Sequence, residues 1–344
     1  MGGKIQFMKF DNINKILIIR NDGIGDLLNS TPAISALRKS YNKAKITVMA
    51  KYPCDEILFM NPDVDNILVY TARSLIERIQ FLCKINRENY DMVVVLQNSS
   101  FCNFIASISC AKYRIGSKGK RFSFALTHKM KKEYSKGQRH EIQRNLDLVE
   151  IVGAYTDNLN LVFQLSEEER NWSSDYLRKN GIEENDKIIG IHPGGSSFDK
   201  LWPVKNFALV ADSLVAKYNA RILIFNGPQE NDLMEKINGL IQSQYVNISG
   251  VSLRQFADIL QKCSLFICND SGPMHIAAAL RVPTVAIFGP TDYIRWKPHN
   301  DKAVVVRLDT DCWPCSAHKC NKDYECIKAL SVEKVLDAAV SILD

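Results

Sequence analysis

The stretch CNDSGPMH, residues 268–275, decides the fold, because a strand ends and a helix begins inside it. Residues 264–267 before it are short, apolar and typical of a strand, whereas residues 274–280 after it are rich in helix formers. Asp270 and Ser271 stand where side chains cap a helix. Such a helix start at the carboxyl edge of a parallel sheet favours an anion, typically phosphate. On local grounds alone, an ordinary capped helix explains the pattern equally well.

A second strand-to-loop transition of this kind occurs at residues 187–200. Its apolar part, 187–192, is followed by Pro-Gly-Gly-Ser-Ser, whose small residues let backbone amides approach a ligand closely. Ser196, Ser197 and Lys200 add two hydroxyls and a positive charge that suit a diphosphate. A solvent-facing turn with a surface lysine fits this segment alone just as well. Two such turns on one sheet favour a phosphate site.

The third transition lies near the N-terminus and carries a carboxylate. Residues 16–19 form a buried type of strand, and the Arg-Asn-Asp-Gly-Ile-Gly-Asp that follows ends at Asp26. This loop is a weak match to a dinucleotide-binding fingerprint, because the third glycine is missing and no acidic residue closes the second strand, 46–49. We interpret Asp26, at a helix start, as a general base. A structural N-cap role fits the local pattern as well.

Taken together, these segments resemble glycosyltransferase family 9, the ADP-heptose:lipopolysaccharide heptosyltransferases. The resemblance rests on ILIIRNDGIGD (16–26), HPGGSS with KLWP (192–203), NDSGPMH (269–275) and FGPTD (288–292). It covers nearly the whole chain, in the family's order and spacing. It implies the GT-B fold, an α/β architecture in which two Rossmann-like domains with doubly wound parallel sheets face each other across a cleft.

The resemblance also implies roles for residues on the donor side. Asp270 would bind hydroxyls of the donor sugar, and Glu230 or its neighbour Gln229 would contact the ribose. Val251 stands where relatives place a residue that contacts adenine. The phosphate and ribose region would be lined by Ser271, Gly272 and His275. On local grounds His275 fits a packed helix histidine equally well.

Strands alternate with helices through both halves of the chain, which predicts parallel sheets covered on both faces. The expected domains are residues 1–165, which would bind the acceptor, and residues 166–330, which would bind the donor. In the fold that the resemblance implies, the last helix often packs back on the first domain, and residues 331–344 have the apolar spacing for such a helix. The predicted strands lie near residues 15–19, 45–49, 66–70, 91–96 and 112–115, and near 187–192, 221–226, 245–248, 264–268 and 283–288.

Composition and charge narrow the cellular context. The 344 residues include 46% hydrophobic residues, enough for two cores. No segment is long and apolar enough to span a membrane, and residues 1–10 lack the apolar core of a secretory signal. We therefore expect a cytoplasmic protein, with a peripheral contact at the cytoplasmic face of the inner membrane.

The formal charge of +6 is unevenly distributed, because segment 112–144 carries eleven Lys and Arg against two Glu. Such a tract suits an anionic glycolipid acceptor or anionic lipid head groups. Nucleic acid is less favoured as a partner, since no standard nucleic-acid-binding module is apparent. A solvated basic loop without a ligand also explains the segment.

The chain contains ten cysteines. Six stand in or beside apolar stretches and are expected to be small buried side chains: Cys54, Cys83, Cys102, Cys110, Cys263 and Cys268. Four others stand within fifteen residues, with His318 among them: Cys312, Cys315, Cys320 and Cys326. This group could hold a structural zinc, form disulfides or stay free.

Two Asp-x-Asp pairs have the form that holds a divalent ion on a nucleotide diphosphate in sugar transferases of another fold. Asp63 and Asp65 precede a strand in the half that should not bind the donor, whereas Asp309 and Asp311 border the cysteine group. Short acidic pairs are commonly turn residues. Helix amides and Lys200 can balance the diphosphate charge. The sequence therefore predicts no metal and no cofactor, the nucleotide sugar being a substrate.

The predicted activity is an inverting, metal-independent transfer of a heptose or related sugar from an ADP-sugar to a lipopolysaccharide inner-core or similar glycan acceptor. Asp26 would take the proton from the attacking acceptor hydroxyl. Charge on the leaving diphosphate would be stabilised by Ser196, Ser197 and Lys200. Two other functions stay open: a non-catalytic regulatory protein that binds a nucleotide sugar, and a sugar-nucleotide epimerase of the same fold.

Overall fold

The computed structural model describes residues 10–130, 134–228, 230–313, 315 and 320–344, except for the side chain of Asn231. Two compact units make up the described chain. The first contains the residues up to Ser135 together with Arg139–Gln164, and the second contains Lys136–Gln138 and Leu165–Asp344. The main division therefore lies one residue before the predicted boundary at 165/166.

The first unit is built on a six-stranded sheet with the order β3-β2-β1-β4-β5-β6. Every neighbouring pair runs parallel, and the central strands β1 and β4 are almost wholly buried, as expected for a parallel sheet covered on both faces. The strands are β1 (Lys15–Ile19), β2 (Lys45–Ala50), β3 (Asn66–Val69), β4 (Met92–Val95), β5 (Tyr113–Ser117) and β6 (His128–Met130).

Three helices of the first unit, α3, α4 and α5, begin at capping side chains. Ser74 and Glu77 form a capping box at the start of α3, and the Ser99 side chain caps α4. Ile85 of α3 and Ile105 of α4 pack with Val93 of the sheet in one hydrophobic cluster. The helices are α1 (Ile24–Leu28), α2 (Thr31–Ser40), α3 (Leu75–Arg87), α4 (Ser100–Ile108) and α5 (Glu141–Val149).

The second unit repeats this architecture, with the sheet order β12-β11-β10-β7-β8-β9 and parallel pairing throughout. When each unit is numbered from its own first strand, both sheets have the doubly wound order 3-2-1-4-5-6. The strands are β7 (Ile188–His192), β8 (Arg221–Phe225), β9 (Tyr245–Ile248), β10 (Leu265–Asn269), β11 (Thr284–Phe288) and β12 (Ala303–Arg307).

The helices of the second unit follow the same sequence rules. Ser166 with Glu169 and Ser252 with Gln255 form capping boxes, and Pro203 directly precedes the long helix that ends at Tyr218. The helices are α6 (Glu167–Lys179), α7 (Val204–Tyr218), α8 (Asn231–Asn238), α9 (Leu253–Gln261), α10 (Gly272–Ala279), α11 (Tyr293–Trp296), α12 (Glu325–Lys328) and α13 (Val332–Leu343).

The last helix, α13, packs within the second unit. Val335 and Ala339 are fully buried in the hydrophobic cluster that also contains Trp202 and Phe207. The expectation that residues 331–344 pack back on the first domain stays a prediction. The apolar spacing of the helix was recognised correctly, but its apolar side complements the core of its own unit.

All ten predicted strands are present, each within two residues of its predicted ends. Two strands were not predicted, β6 and β12. β6 has only three residues, all partly exposed, and therefore lacks an apolar run. β12 is a short run at the sheet edge, bordered by charged residues. In the described parts of the chain, no helix has the length and hydropathy needed to cross a membrane.

Candidate active site

In each sheet, the chain adds strands first toward one edge and then toward the other, so the strand order reverses at one point. In the second unit this switch point lies between β7 and β10, which are hydrogen-bonded neighbours. The loops that leave their carboxyl ends, residues 193–203 and 270–271, therefore start side by side. Open α/β sheets bind ligands in the crevice at such a point.

Asn269 connects these two loops from the buried end of β10. Its Nδ2 donates to the carbonyl oxygens of Pro193 at 2.8 Å and Gly194 at 3.2 Å, and its Oδ1 accepts from the Trp202 N–H at 3.1 Å. The Trp202 indole N–H in turn donates to the Leu330 carbonyl oxygen at 2.9 Å. One neutral side chain thus fixes both ends of the 193–202 loop. No role had been predicted for Asn269, although a polar residue ending a buried strand was a signal.

Lys200 and Asp270 meet at this switch point. Lys200 Nζ lies 2.8 Å from Asp270 Oδ2, and the Asp270 side chain is almost fully buried. Lys200 was predicted to bind the diphosphate and Asp270 to bind the donor sugar, and the structure brings the two side chains into contact. A carboxylate that holds the ammonium group restricts where its positive charge can lie.

The two predicted serines differ in their surroundings. Ser196 is exposed, whereas the Ser197 hydroxyl is hydrogen-bonded to the carboxylate of Asp199. Ser197 accordingly supports the conformation of the 3₁₀ turn Phe198–Lys200 that carries the lysine. Both serines lie on the loop after β7, as predicted.

Glu230 follows β8, and its side chain lies in the turn after β7. It accepts hydrogen bonds from the Gly195 N–H at 3.1 Å and the Gly227 N–H at 2.7 Å, and lies 3.4 Å from His192 Nε2. Gly194 is required here, because a Cβ would lie 1.9 Å from Glu230 Oε1. Burial raises the pKa of Glu230, but His192 and the two amides outweigh it and leave that pKa below its usual value.

This arrangement modifies the prediction for the 193–197 loop. Backbone amides of this segment were expected to approach a ligand, yet the Gly195 amide binds Glu230. His192 was quoted in the motif without a role, and its position at the end of β7 was the signal for one. Gln229, the alternative ribose contact, lies outside the described residues.

The start of α10 also differs from the prediction. Ser271 takes the N-cap position, but its hydroxyl donates to the Asn269 carbonyl oxygen at 3.2 Å, and Asp270 binds Lys200. No side chain of the described residues caps this helix, so the expected capping by Asp270 and Ser271 was wrong. Amides at Gly272 and beyond therefore lack the predicted side-chain acceptors.

Two further donor-side predictions concern ring and apolar contacts. His275 is 4% exposed, and its ring lies edge-on to Trp296 with 6.3 Å between ring centroids. This geometry is that of a packed helix histidine. Val251 is half-buried and follows β9, just before the capping residue Ser252 of α9. Predicted donor residues thus follow four adjacent strands, β10, β7, β8 and β9.

The switch point of the first unit lies between β1 and β4. Asp26 follows β1 in the first turn of α1, while Gly23 occupies the N-cap position, so the alternative of an N-cap aspartate was wrong. The buried Arg20 donates from Nη2 to Asp26 Oδ1 at 3.1 Å and from Nη1 to the Leu96 carbonyl oxygen at 2.8 Å. The Asp26 side chain is 31% exposed.

Two more carboxylates surround Arg20. Glu141 Oε1 accepts from Arg20 Nη2 at 3.0 Å, and Asp22 Oδ1 lies 3.2 Å from Arg20 Nε. Burial raises the pKa of Asp22 to about 7; Arg20 opposes this rise, whereas Asp26 and Glu141 add to it. Burial lowers the pKa of Arg20, but the three carboxylates outweigh it and leave that pKa above its usual value. No role had been predicted for Arg20, Asp22 or Glu141.

The basic segment 112–144 is largely a surface feature. Lys118, Lys120 and Arg121 are exposed between β5 and β6, and Phe124 in the same loop is 78% exposed. Several of the cations lie over aromatic rings, among them Arg121 over the neighbouring phenylalanine. Residues 131–133 of this segment lie outside the described chain.

The cysteine predictions hold in part. Cys54, Cys102, Cys263 and Cys268 are buried, but Cys83 and Cys110 are exposed, contrary to expectation. In the later group the side chains are free thiols, and no set of three or more His, Cys, Asp or Glu among the described residues is arranged to hold a metal. His318 lies outside those residues.

Three of the four carboxylates in the Asp-x-Asp pairs bind other side chains of their own unit. Asp63 is hydrogen-bonded to Ser35, and Asp65 pairs with Arg38. Asp309 pairs with Arg307. These contacts are typical of turn and surface carboxylates.

Comparison with known proteins gives consistent results. The family model described as glycosyltransferase family 9 (heptosyltransferase) matches residues 78–325. Lipooligosaccharide heptosyltransferase 2 of Haemophilus ducreyi is 30% identical over 313 residues, which cover 86% of this chain and 88% of that protein. Lipooligosaccharide heptosyltransferase 2 of Campylobacter jejuni is 28% identical over 340 residues, or 96% and 98% of the two chains.

Solved structures show the same fold. The family 9 glycosyl transferase of Veillonella parvula has a TM-score of 0.84 at 24% identity, with 98% of this chain and 99% of that chain covered. Escherichia coli ADP-heptose lps heptosyltransferase II has a TM-score of 0.80 at 23% identity, with 96% and 98% covered. The predicted GT-B fold is thereby confirmed.

Proposed function

Because the chain belongs to glycosyltransferase family 9, we propose that it transfers a heptose or related sugar from an ADP-sugar to a lipopolysaccharide inner-core or similar glycan acceptor. The reaction inverts the configuration at the anomeric carbon and uses no metal. One observation carries the proposal: Asp26 is partly exposed at the carboxyl edge of the first sheet, while the arginine that binds it is buried.

In the proposed reaction Asp26 is the general base. The acceptor hydroxyl oxygen forms a bond to the anomeric carbon, its proton passes to the Asp26 carboxylate, and the bond from the anomeric carbon to the diphosphate oxygen breaks. Arg20 supports this role, since a carboxylate paired with a guanidinium remains ionised and ready to accept a proton. Partial exposure of Asp26 leaves room for the acceptor hydroxyl.

The second unit is proposed to bind the donor. Lys200 would bind the diphosphate and stabilise the charge that develops on it, with Ser196 and the first amides of α10 as further donors. Asp270 would bind sugar hydroxyls beside Lys200. Glu230, held by two amides, would accept a ribose hydroxyl, and Val251 would contact the adenine. Because these groups already supply positive charge and N–H donors, the proposed mechanism needs no divalent ion.

The acceptor is proposed to be an anionic glycolipid, which places the enzyme in the cytoplasm at the inner face of the inner membrane. Lys118, Lys120 and Arg121 present exposed positive charge in one loop, with Phe124 beside them. A variant with these three residues changed to Gln should lose sedimentation with vesicles that contain phosphatidylglycerol, if lipid is the partner. If the variant instead loses turnover on a saccharide acceptor assayed without detergent, the partner of this loop is the glycan part of the acceptor.

The experiment that tests the proposed function combines donor selection and product analysis. ADP-, UDP- and GDP-sugars are compared by thermal shift, and the best ligand is then incubated with a heptose-deficient core acceptor, with and without EDTA. The expected result is preference for an ADP-sugar and an acceptor product enlarged by one sugar, with EDTA having no effect. Conversion of the sugar while it is still attached to nucleotide would indicate an epimerase, and binding without turnover would indicate a regulatory protein.

A further inference from the structure

Four side chains at the first unit's switch point form a group that we name the Arg20 cluster: Arg20, Asp22, Asp26 and Glu141. Three carboxylates share one buried guanidinium, so the cluster would have a net charge of −2 if every carboxylate were ionised. Such an excess charge is costly in a poorly solvated site, and interacting carboxylates commonly retain a proton between them.

The hydrogen bonds of Arg20 are unequally divided among the carboxylates. Nη2 donates to Asp26 Oδ1 and Glu141 Oε1, Nη1 donates to the Leu96 carbonyl oxygen, and Nε donates to the main-chain oxygen of Asp26 at 3.1 Å. The single N–H of Nε is therefore used when Asp22 Oδ1 approaches it at 3.2 Å. Among the described residues, Asp22 Oδ1 is buried without a hydrogen-bond partner.

We propose that Asp22 holds the exchangeable proton of the Arg20 cluster and thereby keeps Asp26 ionised, and that Arg20 and Glu141 are positioning residues for Asp26. This inference rests on the proposed role of Asp26 as the base. The buried Oδ1 of Asp22 accepts no hydrogen bond from the described residues, so a shared proton resides on this carboxyl group. Burial raises the pKa of Asp22 to about 7, in agreement with this assignment.

Other titratable groups near Asp22 do not replace it in this role. Cys54 Sγ lies 3.5 Å from the Asp22 carbonyl oxygen, and Cys102 faces the cluster from α4. Burial raises the pKa of each thiol to about 11, so both remain protonated between pH 6 and pH 9. Asp55 and Lys51 lie beyond Cys54 and influence its thiol.

A consequence for the reaction follows from the charge of Asp22. When Asp22 loses its proton near neutral pH, the added negative charge makes Asp26 a stronger base. The proton from the acceptor hydroxyl still passes to Asp26, and from there to solvent. We expect kcat to be about twofold to fivefold higher at pH 8.5 than at pH 6, because base strength affects proton transfer only fractionally.

The test compares kcat and KM from pH 5.5 to pH 9 for the full-length enzyme, Asp22→Asn, Arg20→Lys and Glu141→Gln. Asp175→Asn, an exposed helix position of the second unit, is the matched control. In Asp22→Asn the ratio of kcat at pH 8.5 to kcat at pH 6 should fall to about one. Arg20→Lys should lower kcat about tenfold or more, and Glu141→Gln should lower it about threefold. Both variants should leave the donor KM unchanged.

A direct measurement keeps the inference testable if a variant folds poorly. Carboxyl ¹³C NMR of the wild-type enzyme should show one Asp that titrates near pH 7 and is absent from Asp22→Asn or Asp22→Ser. An Asp22 resonance that titrates below pH 5, or a pH ratio unchanged in Asp22→Asn, overturns the inference. Full activity of Asp26→Asn would instead overturn the proposed base, so the two failures are distinguishable.

Discussion

The two units share one sheet order but place opposite chemistry at their switch points. In the first unit a buried arginine gathers three carboxylates, and the local charge is negative. In the second unit a neutral asparagine joins the loops, and the one lysine there is paired with Asp270. Topology fixes where loops converge, whereas the residues at the strand ends decide whether the site accepts protons or binds phosphate.

The side chain that spans the switch point also comes from a different strand in each unit. Arg20 leaves β1 and reaches the Leu96 carbonyl oxygen after β4, whereas Asn269 leaves β10 and reaches Pro193 after β7. Arg20 is charged and holds the proposed base, whereas Asn269 is neutral and holds a backbone loop. This comparison predicts that mutations in the first unit affect proton transfer and its pH dependence, and that mutations in the second affect donor binding and loop stability.

The largest effect is expected for Asp26→Asn. Loss of the general base should lower turnover by roughly two to four orders of magnitude, while ADP affinity, measured by thermal shift, should stay near the wild-type value. Asp175→Asn serves as the control. Near-normal turnover of Asp26→Asn would end the assignment of proton transfer to the first unit.

Lys200→Met should have the next largest effect. Removing the positive charge from the diphosphate site should lower kcat/KM for the donor roughly 10²- to 10³-fold, as for loss of one preorganised donor, and should weaken ADP binding. Lys205→Met removes an exposed lysine from the adjacent helix α7 and should leave both quantities nearly unchanged. Equal effects of the two variants would contradict a specific role for Lys200.

Asn269→Ala tests the neutral connection in the second unit. The Trp202 N–H and the two carbonyl oxygens would lose a buried partner, so the free energy of unfolding should fall by about 2–3 kcal/mol. Urea denaturation followed by tryptophan fluorescence measures this change, because Trp202 belongs to the affected loop. An unchanged midpoint would show that the loop conformation does not depend on this amide.

Asp22→Asn should give the smallest effect, a change in stability that depends on pH. Asp22 has a pKa of about 7 in the folded protein, against 3.8 for the free side chain, so the native state keeps a proton that the unfolded chain releases. The contribution of Asp22 to wild-type stability should therefore fall between about pH 4 and pH 7 and level off above it. Relative to wild type, the variant should melt about 2–4 °C higher at pH 8 but show little gain at pH 4.5. A constant difference across this range would contradict a raised pKa.

Much of the fold was predictable because parallel strands buried on both faces appear as short apolar runs. The run at 16–19 and the run at 284–288 are unambiguous for this reason. The strand at His128–Met130 was missed, since edge position and partial exposure leave no apolar pattern. The packing of α13 was also not predictable, because helical spacing shows that an apolar face exists without showing which core it joins.

The site was predictable where a motif is local and less so where contacts join distant segments. Lys200 was identified from the loop that follows its strand and Asp270 from the family resemblance, and the structure adds their ion pair. The pairing of Arg20 with Glu141 spans 121 residues, and nothing in either local sequence indicates it. Likewise Glu230 was assigned a role, but its insertion into the turn at Gly195 depends on how two loops pack.

The position of α13 has a consequence for synthesis of the protein. The first unit has all of its strands and helices once residue 164 has left the ribosome, so it can fold while translation continues. The hydrophobic cluster that contains Trp202 is complete only when residues 332–343 arrive. Until then, a nascent chain exposes an uncovered apolar sheet face for the whole translation time of that unit, which is the kind of surface that chaperones bind.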